Sequence, residues 1–121
     1  GQIAVVSSLA GYRGLPRSIA YSATKAALIA LTESLKFDLD PMGIKVQIVN
    51  PGFVRTPLTD RNDFEMPFLM EVEAAAEQFV QGLASSRFEI RFPTLFSLIM
   101  RQVTRLPYAL YFPLVTRITR R

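Results

Sequence analysis

The chain has 121 residues, half of them apolar, and carries 14 Lys and Arg against 10 Asp and Glu, a formal net charge of +4. That length suits one domain-sized core, and the lack of cysteine removes any disulfide framework while remaining compatible with a reducing compartment. The lack of histidine excludes a Ser-His-Asp triad and the common His-based zinc sites, so acid–base chemistry near neutral pH falls to carboxylates, tyrosine or lysine.

The opening, GQIAVVSS, runs straight into a hydrophobic strand with no initiator methionine and no signal segment, as a cut inside a larger protein would. Ile3 to Val6 is an apolar, β-branched run ending in Ser7-Ser8, the pattern of a strand buried on both faces of a parallel sheet. Gly11, Gly14 and Pro16 mark a loop. From Ile19 to about Leu39 the period is helical. Ala27, Leu28, Leu31, Leu35 and Leu39 fall on one stripe, and Pro41 and Gly43 end it. Lys45 to Val49 reads as a second strand, broken by Pro51-Gly52. Strand, helix and strand make a βαβ unit with parallel strands and a right-handed crossover. Ligands of such sheets bind beyond the carboxyl ends of the strands. Ser7-Ser8 and Asn50-Pro51-Gly52 therefore share the side where chemistry is expected.

Residues 53–70 show no clear period and read as a loop with room for a short helix. Val72 to Leu83 is an amphipathic helix with Val72, Ala76, Phe79, Val80 and Leu83 on its buried side. Phe88 to Phe92 alternates apolar and charged residues, as a half-exposed third strand would. Leu95 to Leu106 and Leu110 to Ile118 read as two short helices divided by Pro107. Arg101, Arg105, Arg117, Arg120 and Arg121 crowd this C-terminal segment. Such a tail suits an anionic membrane surface or nucleic acid. A solvated helix end is the commoner use, and no nucleic-acid partner is expected. Aromatic and apolar residues mixed with these arginines also suit helices lying on a membrane surface; helices packed over the site or on a partner subunit are the favoured reading. No apolar run approaches the ~20 residues needed to span a bilayer, and a cytoplasmic protein, peripheral at a membrane if those helices lie on one, is expected.

The stretch YSATK puts Tyr21 and Lys25 four residues apart, on one face of a helix and in its first turn. A free tyrosine titrates near ~10 and is a poor base at neutral pH. A neighbouring ammonium favours the phenolate. Alone, the pair is also an ordinary helix-surface contact worth a few tenths of a kcal/mol. Ser8 lies thirteen residues upstream, at a strand end, where its hydroxyl can meet Tyr21 across a substrate oxygen. A serine there can equally cap its own loop.

VVSSLAG, then YSATKAAL, then VNPGFVRTPLT, in this order and spacing, resemble the C-terminal half of the short-chain dehydrogenase/reductase family over about residues 2–59. The resemblance implies an α/β fold: the C-terminal part of a Rossmann-type doubly wound parallel sheet, about three strands with flanking helices. It divides a single partial domain, 1–121, into a catalytic βαβ segment (1–59) and a substrate loop with C-terminal helices and one further strand (60–121). It implies an NAD(P)-dependent oxidoreductase that interconverts a carbonyl and an alcohol by hydride transfer. Ser8 would hold the substrate oxygen, Tyr21 would transfer its proton and also contact the cofactor, and Lys25 would support Tyr21 and bind the nicotinamide ribose. Pro51 and Gly52 would bring the backbone near the nicotinamide, although a plain turn uses the same residues. Thr56 matches the position that bonds the cofactor's carboxamide or phosphate. No metal is implied. The resemblance also implies a homo-oligomer, because the family commonly pairs its long helices.

The family's glycine-rich cofactor loop, its selector of NAD over NADP and its proton-relaying asparagine have no counterpart in these 121 residues. A fragment, inactive alone and dependent on a partner, is therefore the rival expectation. The substrate is expected to be a small apolar carbonyl or alcohol, from Leu15, Phe53, Leu58, Phe64 and Met66 beyond the strand ends.

Overall fold

The computed structural model describes residues 1–57 and 66–119. Three strands, β1 (Gln2–Val6), β2 (Lys45–Pro51) and β3 (Glu89–Phe92), form one sheet in the order β1-β2-β3. Both pairings are parallel, with Ile3 opposite Val46 and Val49 opposite Ile90. The helices are α1 (Ile19–Leu39), α2 (Val72–Ala84), α3 (Thr94–Val103) and α4 (Tyr108–Thr119). The α/β architecture expected from the periodicities is thus present. Between Pro51 and α2 the described residues contribute one isolated bridge, Val54 to Met70.

The side-chain alternation of β2 sorts the helices onto the two faces. Ile48 and Asn50 border a cleft with Ile29 and Glu33 of α1. Val49 instead joins Ala75, Ile90 and Phe92, with Phe79 and Leu83 packed against them, beneath α2. The strands step in one direction while the two connecting helices lie on opposite faces. The two crossovers are therefore of opposite hand, and one breaks the usual right-handed rule.

Gln47, fully buried on the α2 face, explains how that helix is anchored. Its amide donates to the carbonyls of Gly82 and Arg87, each at 2.9 Å, and accepts from Gln2 at 2.7 Å. Lys45 donates to the carbonyls of Leu83 and Ser85 at 2.8 Å. These contacts satisfy carbonyls that the last turn of a helix leaves without partners, and the ammonium also suits the negative end of the helix dipole.

Three expectations about burial are corrected. β1 is an edge strand: four of its five residues are exposed, including Ile3 at 39% and Val6 at 45%. A continuous apolar run cannot distinguish a strand buried on both faces from one at a sheet edge. In α1 the limits match, but Leu31 and Ala27 are exposed, and the buried residues are Ser22 and Thr32. In α2, Val72, Ala76 and Val80 are exposed, and Ala75 and Gly82 are buried between the helix and β3.

Candidate active site at the carboxyl ends of the strands

β1 delivers Ser7 and Ser8 to its carboxyl end, and both are buried. Ser7 donates its N–H to the Val49 carbonyl at 2.7 Å, and its hydroxyl to the Lys25 carbonyl at 2.7 Å. The strand end is thereby tied to α1 at the residue of interest. Ser8 caps the 3-10 turn Leu9–Gly11: its hydroxyl accepts from Ala10 N–H at 3.1 Å and makes a long 3.5 Å contact to the Pro51 carbonyl. Gly11 completes the docking of this turn on α1, since a Cβ there would lie 2.9 Å from the Lys25 carbonyl carbon.

Tyr21 is the third residue of α1 and Lys25 the seventh, so Lys25 sits in the second turn rather than the first. Its Nζ lies 5.5 Å from the centroid of the Tyr21 ring. Tyr21 is 51% exposed. Among the described residues no carboxylate approaches the Lys25 ammonium, which leaves the charge available to the tyrosine and to a ligand. Pro51 ends β2, and Gly52 continues it with an N–H bond to the Phe92 carbonyl at 2.8 Å. Thr56 is half-buried in the segment that follows. Ser8 and Pro51 are therefore in contact, Tyr21 and Lys25 share one helix face, and the Lys25 backbone is tied to Ser7 and packed on Gly11, on either side of Ser8.

Phe53 and Phe68 both stack on Phe96 of α3, with centroids 6.2 and 5.3 Å apart, making an aromatic wall beyond the strand ends. Phe53, Met66 and Leu15 are half-buried; Leu58 and Phe64 lie outside the described residues. A concavity of about 460 Å³ between α2 and β3 contains none of Ser8, Tyr21 or Lys25. Of that group Tyr21 is exposed, Lys25 half-buried and Ser8 buried.

A buried polar cluster adjoins the site. The Glu89 side chain, 15% exposed, accepts hydrogen bonds from the Tyr12 hydroxyl, from Asn50 Nδ2 at 2.8 Å and from Arg101, with Arg91 at 3.4 Å. Burial alone would push the carboxyl up, but the hydrogen bonds of Tyr12 and Asn50 and the charge of Arg101 hold it below the usual carboxylate range. Burial, then the bond to Glu89, raises the Tyr12 phenol. Sequence reasoning missed this cluster. Alternation in FEIRF marks Glu89 as facing the other side from Ile90, and that side was taken as solvent.

The C-terminal helices fold back onto the loop that leaves the site. Arg13 donates to the carbonyls of Thr104, at 3.1 Å, and Leu106, and lies 4.1 Å from the Tyr111 ring centroid. Among the described residues, no helix is long and apolar enough to cross a membrane, and no group of residues could hold a metal ion.

A profile of the family described as short chain dehydrogenase matches residues 1–66. An "Uncharacterized oxidoreductase" of Myxococcus xanthus is 43% identical over 111 residues, which is 92% of this chain and 44% of that protein. A short-chain dehydrogenase from Sphingobium yanoikuyae, solved in complex with NADPH, is 25% identical with a TM-score of 0.69 over 90% of this chain and 47% of its own. A short chain dehydrogenase from Mycobacterium paratuberculosis, solved bound to NAD, is 27% identical with a TM-score of 0.60 over 75% of this chain and 43% of its own. The chain thus spans under half the length of each of these proteins.

Proposed function

The chain belongs to the short chain dehydrogenase family, and from that premise we propose that it carries the catalytic segment of an NAD(P)-dependent oxidoreductase interconverting a small carbonyl compound and an alcohol. The observation that carries the reading is the grouping of Tyr21 and Lys25 on one face of α1 beside the touching strand ends of Ser8 and Pro51.

A nicotinamide, when bound, supplies or accepts the hydride at the substrate carbon. The residues here suit such a ligand: Lys25 is a cation with no carboxylate partner among the described residues, and the strand ends beside it are where nucleotides bind in such sheets. In the reducing direction Tyr21 gives its phenolic proton to the carbonyl oxygen as that oxygen gains charge, leaving a phenolate. The Lys25 ammonium stabilises that phenolate. In the oxidising direction the phenolate takes the alcohol proton. Ser8 donates to the same oxygen, which requires its hydroxyl to leave the long contact with Pro51. The backbone at Pro51-Gly52 and Thr56 would border the nicotinamide. The NADPH- and NAD-bound neighbours support the cofactor class without choosing between the two. The aromatic wall of Phe53, Phe68 and Phe96 supports an apolar substrate.

A second reading, a chain that is inactive alone and works only with a partner, is favoured by one observation. The edge of β1 is open and apolar, and such edges are templates for further pairing. The exposed apolar residues of α1, Ile19 at 91% and Phe37 at 83%, likewise support assembly into an oligomer. Titration with NADH and NADPH, followed by nicotinamide fluorescence, separates the readings. Saturable binding at micromolar levels supports the oxidoreductase reading for the chain alone. No binding favours the partner-dependent one.

A further inference from the structure

Three chain segments meet at one carboxylate. Tyr12 closes the 3-10 turn that Ser8 opens, with its own N–H bonded to the Leu9 carbonyl at 3.2 Å. Asn50 immediately precedes Pro51-Gly52. Glu89 lies on β3, where the register puts it opposite Ile48 of β2. One oxygen of Glu89 takes hydrogen bonds from both Tyr12 and Asn50, and the other takes Arg101 of α3 and Arg91. The contact of Ser8 with Pro51 closes the circuit on the far side. Ser8 to Tyr12, Tyr12 to Glu89, Glu89 to Asn50 and Asn50 to Pro51 form a ring of chain and hydrogen bonds. The Arg101 guanidinium stacks on Tyr12, 4.7 Å from its ring centroid, and presses the phenol onto the carboxylate.

From this ring we infer that Glu89 is a positioning residue, a clamp that sets the Ser8 turn and the Pro51-Gly52 turn relative to one another and couples both to α3. A half-buried carboxylate, 15% exposed, does this better than a neutral group. It accepts four donors at once, and bonds to an ionised acceptor are the shorter and stronger kind. An amide in its place turns one acceptor into a donor, so at least one of the four partners faces a like group. Asn50, 1% exposed and paired in the sheet opposite Arg91, has its Oδ1 without a partner among the described residues, so its side-chain amide is held by its bond to Glu89. The consequence for turnover rests on the oxidoreductase reading, in which Ser8 and the Pro51-Gly52 turn hold the reacting partners; the clamp itself does not.

Amide hydrogen exchange on the folded chain, without cofactor, tests the clamp. The reporters are Gly11 N–H, bonded to the Ser8 carbonyl, and Gly52 N–H, bonded to the Phe92 carbonyl, with Ile48 N–H, bonded to Phe88, as the reference. Glu89→Gln is expected to speed exchange at Gly11 and Gly52 by at least about tenfold more than at Ile48, whose core amide reports only the global loss of stability. Tyr12→Phe, which removes one hydroxyl and keeps the ring under Arg101, should speed Gly11 alone. In reduction of a ketone panel with NADPH, Glu89→Gln should lower kcat by about tenfold or more with KM for NADPH little changed, as displacement of positioning groups does. Unchanged exchange at Gly11 and Gly52 in both variants overturns the inference. So does equal acceleration at Ile48 in Tyr12→Phe, which would mark a merely structural role. Local acceleration combined with turnover indifferent to Tyr21→Phe would instead sink the oxidoreductase reading and leave the clamp standing.

Discussion

Tyr111 of α4 donates its hydroxyl proton to the carbonyl of Gly14 at 2.8 Å. The bond joins the last helix to the loop that runs from the Ser8 turn to α1, across most of the chain. Tyr111 is almost wholly buried, and the Arg13 guanidinium packs on its ring. Tyr111 and Arg101 thus tie the C-terminal helices into the fold, while Arg120 and Arg121 lie outside the described residues.

Tyr111→Phe should keep the ring and lose the bond. Gly14 is exposed, so water can take its carbonyl, and the loss is that of one ordinary hydrogen bond, about 1 kcal/mol. Urea unfolding should show that loss with the m-value unchanged, since the surface exposed on unfolding is the same.

Glu89→Gln should show a pH-dependent loss. Glu89 is held below its ordinary 4.5, so the folded chain binds that proton less readily than the unfolded one. Its contribution is fully present above that value and is lost as pH falls through the lowered folded value. Near neutrality the variant should be less stable by about 3 kcal/mol, the usual cost of breaking a buried charge cluster. Denaturant curves taken in progressively more acid buffer should bring wild type and variant together.

Gly82→Ala tests the packing of α2 on the sheet. A Cβ at Gly82 would lie 2.4 Å from Ile90 Cγ2 and 2.8 Å from Ile90 Cγ1. Alanine gains about 1 kcal/mol in helix propensity, but overpacking costs about 1–3 kcal/mol, and Gln47 loses its place beneath the Gly82 carbonyl. The net outcome should be destabilisation, read as a lower melting temperature. A neutral or stabilising result would mean that the helix can shift away from Ile90.

The elements and the candidate residues were legible where local chemistry decides them. Pro41 and Gly43 end α1 at Leu39 as expected, because neither continues a helix in good order. The strand ends put Ser8 and Pro51 together because parallel strands share a carboxyl edge. Burial was less legible, because it depends on neighbours distant in sequence. Leu31, placed on the apolar stripe, is 51% exposed, while Thr32 is fully buried, its hydroxyl bonded back to the Leu28 carbonyl. Glu89 was read as solvated because an alternating strand shows only that two faces differ. What lies on the second face was set by Tyr12, Asn50 and Arg101, none of them near it in sequence.

The central claim is that Tyr21 moves the proton in hydride transfer. Its most direct test compares wild type with Tyr21→Phe in NADPH- and NADH-dependent reduction of ketones, with nicotinamide binding measured alongside. Wild-type turnover should fall by about 100- to 10,000-fold in Tyr21→Phe, the span of general acid–base catalysis, with cofactor affinity unchanged. Turnover in Tyr21→Phe equal to wild type would contradict the account.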